Sequence, residues 1–161
     1  MPHNSGTEDN NLMPYFVHAI KRLHWAEKQT AMLLDKMRGE AFANSLKKAI
    51  EVHQAQTADH ILRLEQVLQI LGETVTERIC EAMQGLVKDT SMILGDTVRK
   101  TRSRDLGIRA ALMKVEHYEM ATYVILVQLA QAMGLPDAEQ LLQQTLIEEK
   151  EMEEKLQQPP A

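Results

Sequence analysis

Lys114-Val115-Glu116-His117-Tyr118-Glu119 sits inside a run from about Arg104 to Met133 whose apolar residues, Leu112, Leu126 and Ala130 among them, recur at helical spacing. Glu116 and Glu119 fall on that apolar side, where core residues are expected. Burying an ionised carboxylate without a partner costs several kcal/mol or makes it take up a proton. A helix with acids on its inner stripe therefore needs a compensating group, and a bound metal is the sharpest candidate.

Three more long runs flank this one. From Pro14, which suits a first helical turn, Val17, Ile20, Leu23, Leu34 and Met37 recur until Gly39 offers a stop. Leu46, Ile50, Leu64, Val67 and Leu71 mark a second run that ends at Gly72. Downstream, Gly134 closes the central run, and Pro136 and Asp137 open a fourth that lasts to about Leu156, before Pro159 and Pro160 prevent continuation. Glu73 to Arg102 remains as a long link, with its own amphipathic piece from about Ile79 to Leu94.

Two short connections and one long one describe two hairpins joined by a crossover. The expected fold is all-α: a ferritin-like antiparallel four-helix bundle whose long crossover contains a fifth, short helix. An up-and-down bundle needs no such link. The helical domain is expected over residues 13–157, with a disordered N-terminal tail over 1–12 and a C-terminal tail over 158–161.

Composition agrees. The 161 residues are 44% hydrophobic but only 4% aromatic, with 10 Met, which favours helices over a sheet. A formal charge of −5 argues against nucleic acid as a partner, and the basic run Arg99 to Arg104 reads as a solvated loop. No apolar run approaches the roughly 18–20 residues of a membrane span, so no membrane partner is expected. A lone cysteine, Cys80, and the absence of a secretory signal point to the cytoplasm. Cys80 itself reads as a small core residue, and the methionines as core filler. His18, His24 and His117 are expected at surface or boundary positions, and Tyr118 and Tyr123 as packing and hydrogen-bonding residues.

Counting inward positions places a polar group on every long helix. The first run passes through Glu27; the second through His53, then Gln56 or Thr57, then His60; the fourth through Thr145 and Glu149, then Met152 or Glu153. Side chains three or four residues apart project over about the same turn and can share one metal or bridge two. Glu116 with Glu119, Glu149 with Glu153, His53 with Gln56, and Gln56 with His60 meet that condition. With Glu27 they form the candidate metal set: Glu27, His53, Gln56, Glu116, Glu119, Glu149 and Glu153. His53 and His60 lie about 10.5 Å apart along a helix, so they cannot both bind a metal through the same turn, and at most one of the two, His53 or His60, is expected to be a direct ligand. Carboxylates and imidazole suit Fe or Mn, and ligand type alone also admits Zn. A metal-free reading stays open beside this one, in which the same groups form a buried hydrogen-bond network.

Ala26-Glu27-Lys28-Gln29, Arg63-Leu64-Glu65-Gln66-Val67, Cys80-Glu81-Ala82-Met83-Gln84-Gly85-Leu86, the central Lys114 to Glu119 segment and Thr145-Leu146-Ile147-Glu148-Glu149-Lys150 together resemble the YciE/YciF family of ferritin-like bacterial stress proteins, its YciF branch above all. The resemblance covers about residues 14–157. It implies a homodimer and kinship to rubrerythrin-like dimetal carboxylate proteins, with Glu27, Glu116, Glu119 and Glu149 on carboxylate-ligand positions. From the inward acid set on four helices, the leading expectation is a dinuclear Fe or Mn site handling peroxide, dioxygen or Fe(II) oxidation. The chain departs from the family on the second helix, where His-x-x-Glu-Thr is replaced by His53-Gln54-Ala55-Gln56-Thr57, removing one negative charge. Met152, where a rubrerythrin-like helix carries His, and Glu153 alter the fourth wall as well. A bundle that has kept the fold without metal, acting as a dimeric structural or partner-binding protein, is the competing expectation.

Overall fold

The computed structural model describes residues 12–158. Among the described residues there are five helices: α1 (Leu12–Glu40), α2 (Asn44–Ile70), α3 (Glu81–Asp96), α4 (Arg102–Ala132) and α5 (Pro136–Gln157). Of the two expected tails, only Leu12, the first residue of α1, and Gln158, which caps α5, fall within the described residues.

The apolar periodicity is what buries these helices. Ile20, Leu23, Leu34 and Met37 of α1, Ile50, Leu64 and Val67 of α2, Leu112, Leu126 and Ala130 of α4, and Leu142 and Leu156 of α5 are all in the core. Gly72 and Gly134 end α2 and α4 in left-handed geometry, at φ 71° and 65°. Around each, paired bonds satisfy the last carbonyls: Gly134 N–H to Gln131 O at 3.1 Å and Leu135 N–H to Ala130 O at 2.9 Å in the second case. Gly39 is not a stop, because α1 runs through it to Glu40. The reversal that follows is held by Asp105, whose two carboxylate oxygens accept from the backbone N–H groups of Phe42 and Ala43 at 2.7 and 2.9 Å.

α1 and α5 each pack against both α2 and α4. Cross-helix bonds give the directions: Thr30 and Glu27 of α1 meet Glu119 and Tyr123 of α4 in reverse order, and His60 and Arg63 of α2 meet Glu148 and Thr145 of α5 in reverse order. Neighbouring long helices are therefore antiparallel, and α2 and α4, on one diagonal, run the same way. The chain must travel back the length of α2, 27 residues or about 40 Å, before α4 can begin. That return is the crossover, and α3 within it lies against α4 and α1.

One expectation is corrected at the end of the crossover. Arg104 is not part of a solvated loop: it is 4% exposed. Its guanidinium donates to Thr97 Oγ1 at 2.9 Å, to the carbonyls of Leu94 and Thr97 at 2.8 and 2.7 Å, and to Glu40. The end of α3 leaves carbonyls without helical donors, and Arg104 supplies them from the first turn of α4. Arg99, Arg102 and Ser103 remain exposed. Among the described residues no helix is long and apolar enough to cross a membrane.

Candidate metal centre

Four helices deliver acids and imidazoles to the middle of the bundle, on buried faces that also carry His24 and Thr30 of α1, Thr57 of α2 and Thr145 of α5. Glu27, Glu116 and Glu119 are 0% exposed, and Glu149, His53 and His60 are 1% exposed. Two groups form. His53, Glu116, Glu119 and Glu149 offer ligand atoms all within 4.8 Å of one another, as do Glu27, His60 and Glu149. Glu149 belongs to both.

The two histidines thus reach opposite ends of one cluster. His53 Nε2 lies 2.6 Å from Glu116 Oε1. His60 Nδ1 lies 3.0 Å from Glu149 Oε1 and 3.5 Å from Glu27 Oε1. His60, the alternative to His53 in the sequence, is buried in the cluster together with it. Two turns of α2 separate the rings, so each imidazole belongs to a different one of the two groups.

Protein donors fix some of the oxygens. Tyr123 donates to Glu27 Oε1 at 2.7 Å, and Thr30 donates to Glu119 Oε1 at 2.6 Å. Many others have no hydrogen-bond partner: Glu27 Oε2, both oxygens of Glu116 and Glu149, Glu119 Oε2, both His53 ring nitrogens and His60 Nδ1 are buried and unpaired. The short His53–Glu116 contact is misaligned for a hydrogen bond. Orphaned buried polar atoms at this density are rare in folded proteins, and here they converge from four helices on one volume. Carboxylate and imidazole donors in such a cluster fit hard or borderline divalent ions.

Electrostatics follow from burial. Removal from water pushes Glu116 and Glu149 up to about 7, with their mutual repulsion adding to the rise of Glu149. It pushes Glu119 well above the ordinary carboxylate range, helped by the charges of Glu27, Glu149 and Glu116. Glu27 is raised too, chiefly by burial, although His60 works against it. Burial depresses His53. The same burial would depress His60, but the nearby carboxylates of Glu149 and Glu27 outweigh it and raise that imidazole to about 10. Without metal, the centre therefore holds protons, and His60 is its cation.

The remaining expected ligands lie around this cluster. Gln56 stands between the two histidines on α2, partly buried, with its Oε1 sequestered and unpaired. Glu153 belongs to neither group: it faces His117 Nε2 at 3.1 Å and accepts from Gln157, because one turn beyond Glu149 the α5 surface has rotated toward solvent. Met152 is buried in the core. His18 and His117 are exposed as expected. His24 is a correction, 1% exposed, with Nε2 at 2.9 Å from Glu65. Its position three residues before Glu27, hence on the same face of α1, was the available signal.

Sequence periodicity missed Thr30, Arg63 and Glu148. Glu148 Oε2 lies 2.9 Å from His60 Nε2, and Arg63 donates to both oxygens of Glu148. Both sit at the edge of their stripes, where apolar counting is silent. Away from the cluster, Cys80 is buried with its thiol 2.7 Å from the Tyr118 hydroxyl.

Residues 11–159 match the family described as domain of unknown function DUF892. Protein YciF of Escherichia coli (strain K12) is 35% identical over 142 residues, which cover 88% of this chain and 85% of the relative. The crystal structure of the E. coli stress protein YciF aligns with a TM-score of 0.85 and 32% identity over 91% of this chain and 92% of that one. YcfI from Rhodopseudomonas palustris aligns with a TM-score of 0.90 and 30% identity over 97% and 99% of the two chains. A protein of Xanthomonas campestris pv. campestris, at 20% identity and a TM-score of 0.72, shares the fold.

Proposed function

The chain belongs to the DUF892 family and is a relative of the stress protein YciF, and from its buried acid cluster we propose that it carries a dinuclear Fe or Mn centre at the core of a ferritin-like bundle. The observation that carries this reading is the set of unpaired buried oxygens and nitrogens on Glu27, His53, His60, Glu116, Glu119 and Glu149. Four carboxylates with two neutral imidazoles would balance the charge of two divalent cations. Glu149, common to both groups, would contribute to holding either ion.

When bound, such a metal pair supplies redox chemistry toward peroxide, dioxygen or Fe(II). The protein's own part is to exclude bulk water, since every member of the cluster is essentially inaccessible, and to hold ligand oxygens in place through Tyr123 and Thr30. We place this activity in the cytoplasm of a bacterial cell under stress, in a homodimer, by likeness to the family.

Anaerobic loading tests the reading. Purified protein given Fe(II) or Mn(II) and desalted should retain close to two ions per chain, and Glu116→Gln with Glu119→Gln should abolish retention while leaving helicity unchanged. No retained metal, or equal retention by the double variant, sinks it.

One observation favours a second reading. His60, held near a pKa of about 10 between Glu27 and Glu149, gives the metal-free cluster a cation of its own. With the neutral Gln56 in place of an acid, the bundle could serve as a metal-free structural or partner-binding protein. Melting with and without each metal separates the two, because a ligand that binds only the native state must raise the midpoint.

A further inference from the structure

We propose that Arg63 and Glu148 are positioning residues that hold His60 in the one tautomer able to receive a metal at its end of the cluster; this inference rests on the metal-centre reading above. Arg63 grips Glu148 with two parallel bonds, Nη1 to Oε2 at 2.6 Å and Nη2 to Oε1 at 3.0 Å. Its Nη1 also donates to Thr145 Oγ1 at 3.2 Å, which ties the guanidinium to α5 a second time. A carboxylate fixed in this way can only accept. His60 Nε2, 2.9 Å from Glu148 Oε2, must therefore carry the hydrogen.

The consequence falls on the other ring nitrogen. With Nε2 committed to Glu148, Nδ1 is the only imidazole atom left for a metal, and it is the atom facing Glu149 and Glu27. The ring plane is held as well, by an edge-on contact with Tyr123 at 6.3 Å between centroids and 68° between planes. His53 has no such brace: its Nδ1 is buried without a partner. The two imidazoles are thus supported unequally, and the end built on Glu27, His60 and Glu149 is the one that depends on an outer carboxylate. Partners of this kind orient the ligating nitrogen, and their removal typically weakens metal binding ten- to a hundredfold.

The test is anaerobic Mn(II) titration calorimetry on the full chain and on Glu148→Leu, Arg63→Met and Glu148→Gln, with nitrogen-detected histidine spectra of the Zn(II)-loaded wild type. Wild type should bind two equivalents. Glu148→Leu should weaken one of them about ten- to a hundredfold and leave the other unchanged. Arg63→Met should have a smaller effect of the same kind, and Glu148→Gln, whose amide oxygen still accepts from Nε2–H, should recover most of the affinity. In the Zn(II) form His60 should show its proton on Nε2. Two wild-type equivalents with no loss in Glu148→Leu or Arg63→Met would overturn the positioning role and leave the metal centre standing. Absence of binding by wild type would remove both. Should Glu148→Leu fail to fold, a His60 proton on Nδ1 in the Zn(II)-loaded wild type would still overturn the proposal.

Discussion

Tyr123 and Glu27 meet across the α1–α4 interface, the phenol donating to Glu27 Oε1 at 2.7 Å with both residues wholly buried. Burial first, then the charges of Glu27 and Glu149, hold Tyr123 well above its ordinary pKa, so it remains a donor. One oxygen of Glu27 is committed to the protein and the other, Oε2, is left buried and unpaired. Thr30 treats Glu119 in the same way from α1, so each acid presents one free oxygen to the centre.

Removing that donor should therefore register even without metal. Tyr123→Phe keeps the ring against the core but leaves a buried acceptor short of its bond, a loss of about 1–3 kcal/mol. Urea unfolding of the metal-free protein should show a lower midpoint with an unchanged slope. An unchanged midpoint would mean that the bond contributes nothing to holding Glu27.

The pH dependence of the metal-free protein should run opposite to that of ordinary salt-bridged acids. Glu116 and Glu149 hold protons to about pH 7 when folded, against an ordinary value of 4.5. Below pH 4.5 both states carry those protons; between 4.5 and 7 the unfolded chain releases them and the folded one does not, so stability falls as pH rises. His60, raised to about 10, adds stability below its ordinary 6.5 that is lost as pH climbs through 10, which continues the decline. Metal ligands must be deprotonated, so the stabilisation conferred by Mn(II) should grow over the same interval. Thermal melts from pH 5 to 8, with and without Mn(II), should diverge steadily. A metal-free midpoint that rises between pH 5 and 7 would contradict the protonated cluster.

Gln56 offers a test of charge at the centre. It lies on α2 between His53 and His60, with its Oε1 buried and unpaired. Gln56→Glu adds an acid of nearly the same shape to a cluster already rich in carboxylates. The metal-free midpoint should drop through added repulsion, while Mn(II) affinity should rise by about tenfold, equivalent to roughly 1.4 kcal/mol. Calorimetric titration reads the second effect. Equal affinity in the variant would show that Gln56 does not face the metal.

Much of this arrangement is legible in the sequence. Apolar residues recur through each long helix and the left-handed glycines Gly72 and Gly134 end two of them, so spacing alone marks the bundle and its crossover. Glu27, Glu116, Glu119 and Glu149 were legible for a related reason: an acid on an apolar stripe is conspicuous. Periodicity says which way a side chain leaves its own helix, but not what it meets on the next one. Glu148 and Arg63 sit beside the stripes, and their bonds form across the α2–α5 interface. Glu153 has the right spacing from Glu149 yet turns to His117 instead. His60 reads as surplus if one metal is imagined, and becomes a member once two groups share Glu149.

Arg104 shows the same limit outside the centre, and supplies the sharpest stability test. In sequence it is one of a basic run; in the fold it alone of Arg99, Lys100, Arg102 and Arg104 is buried, joining the end of α3 to Glu40 at the end of α1. Arg104→Met keeps a long apolar stem but strips donors from the Leu94 and Thr97 carbonyls and leaves Glu40, 22% exposed, without its buried partner. Breaking a buried charge pair on one side typically costs about 3–5 kcal/mol, and the partial exposure of Glu40 places the expected loss toward the lower figure. Because Arg104 pins the corner where the crossover returns to the bundle, hydrogen exchange should accelerate in α3 and the first turns of α4 more than around Glu27 or Glu149. Protection lost evenly across all five helices, or a midpoint shift within error of wild type, would show that the crossover is held by its apolar face alone, through buried Met83 and the partly buried Leu86, Val87, Ile93 and Leu94.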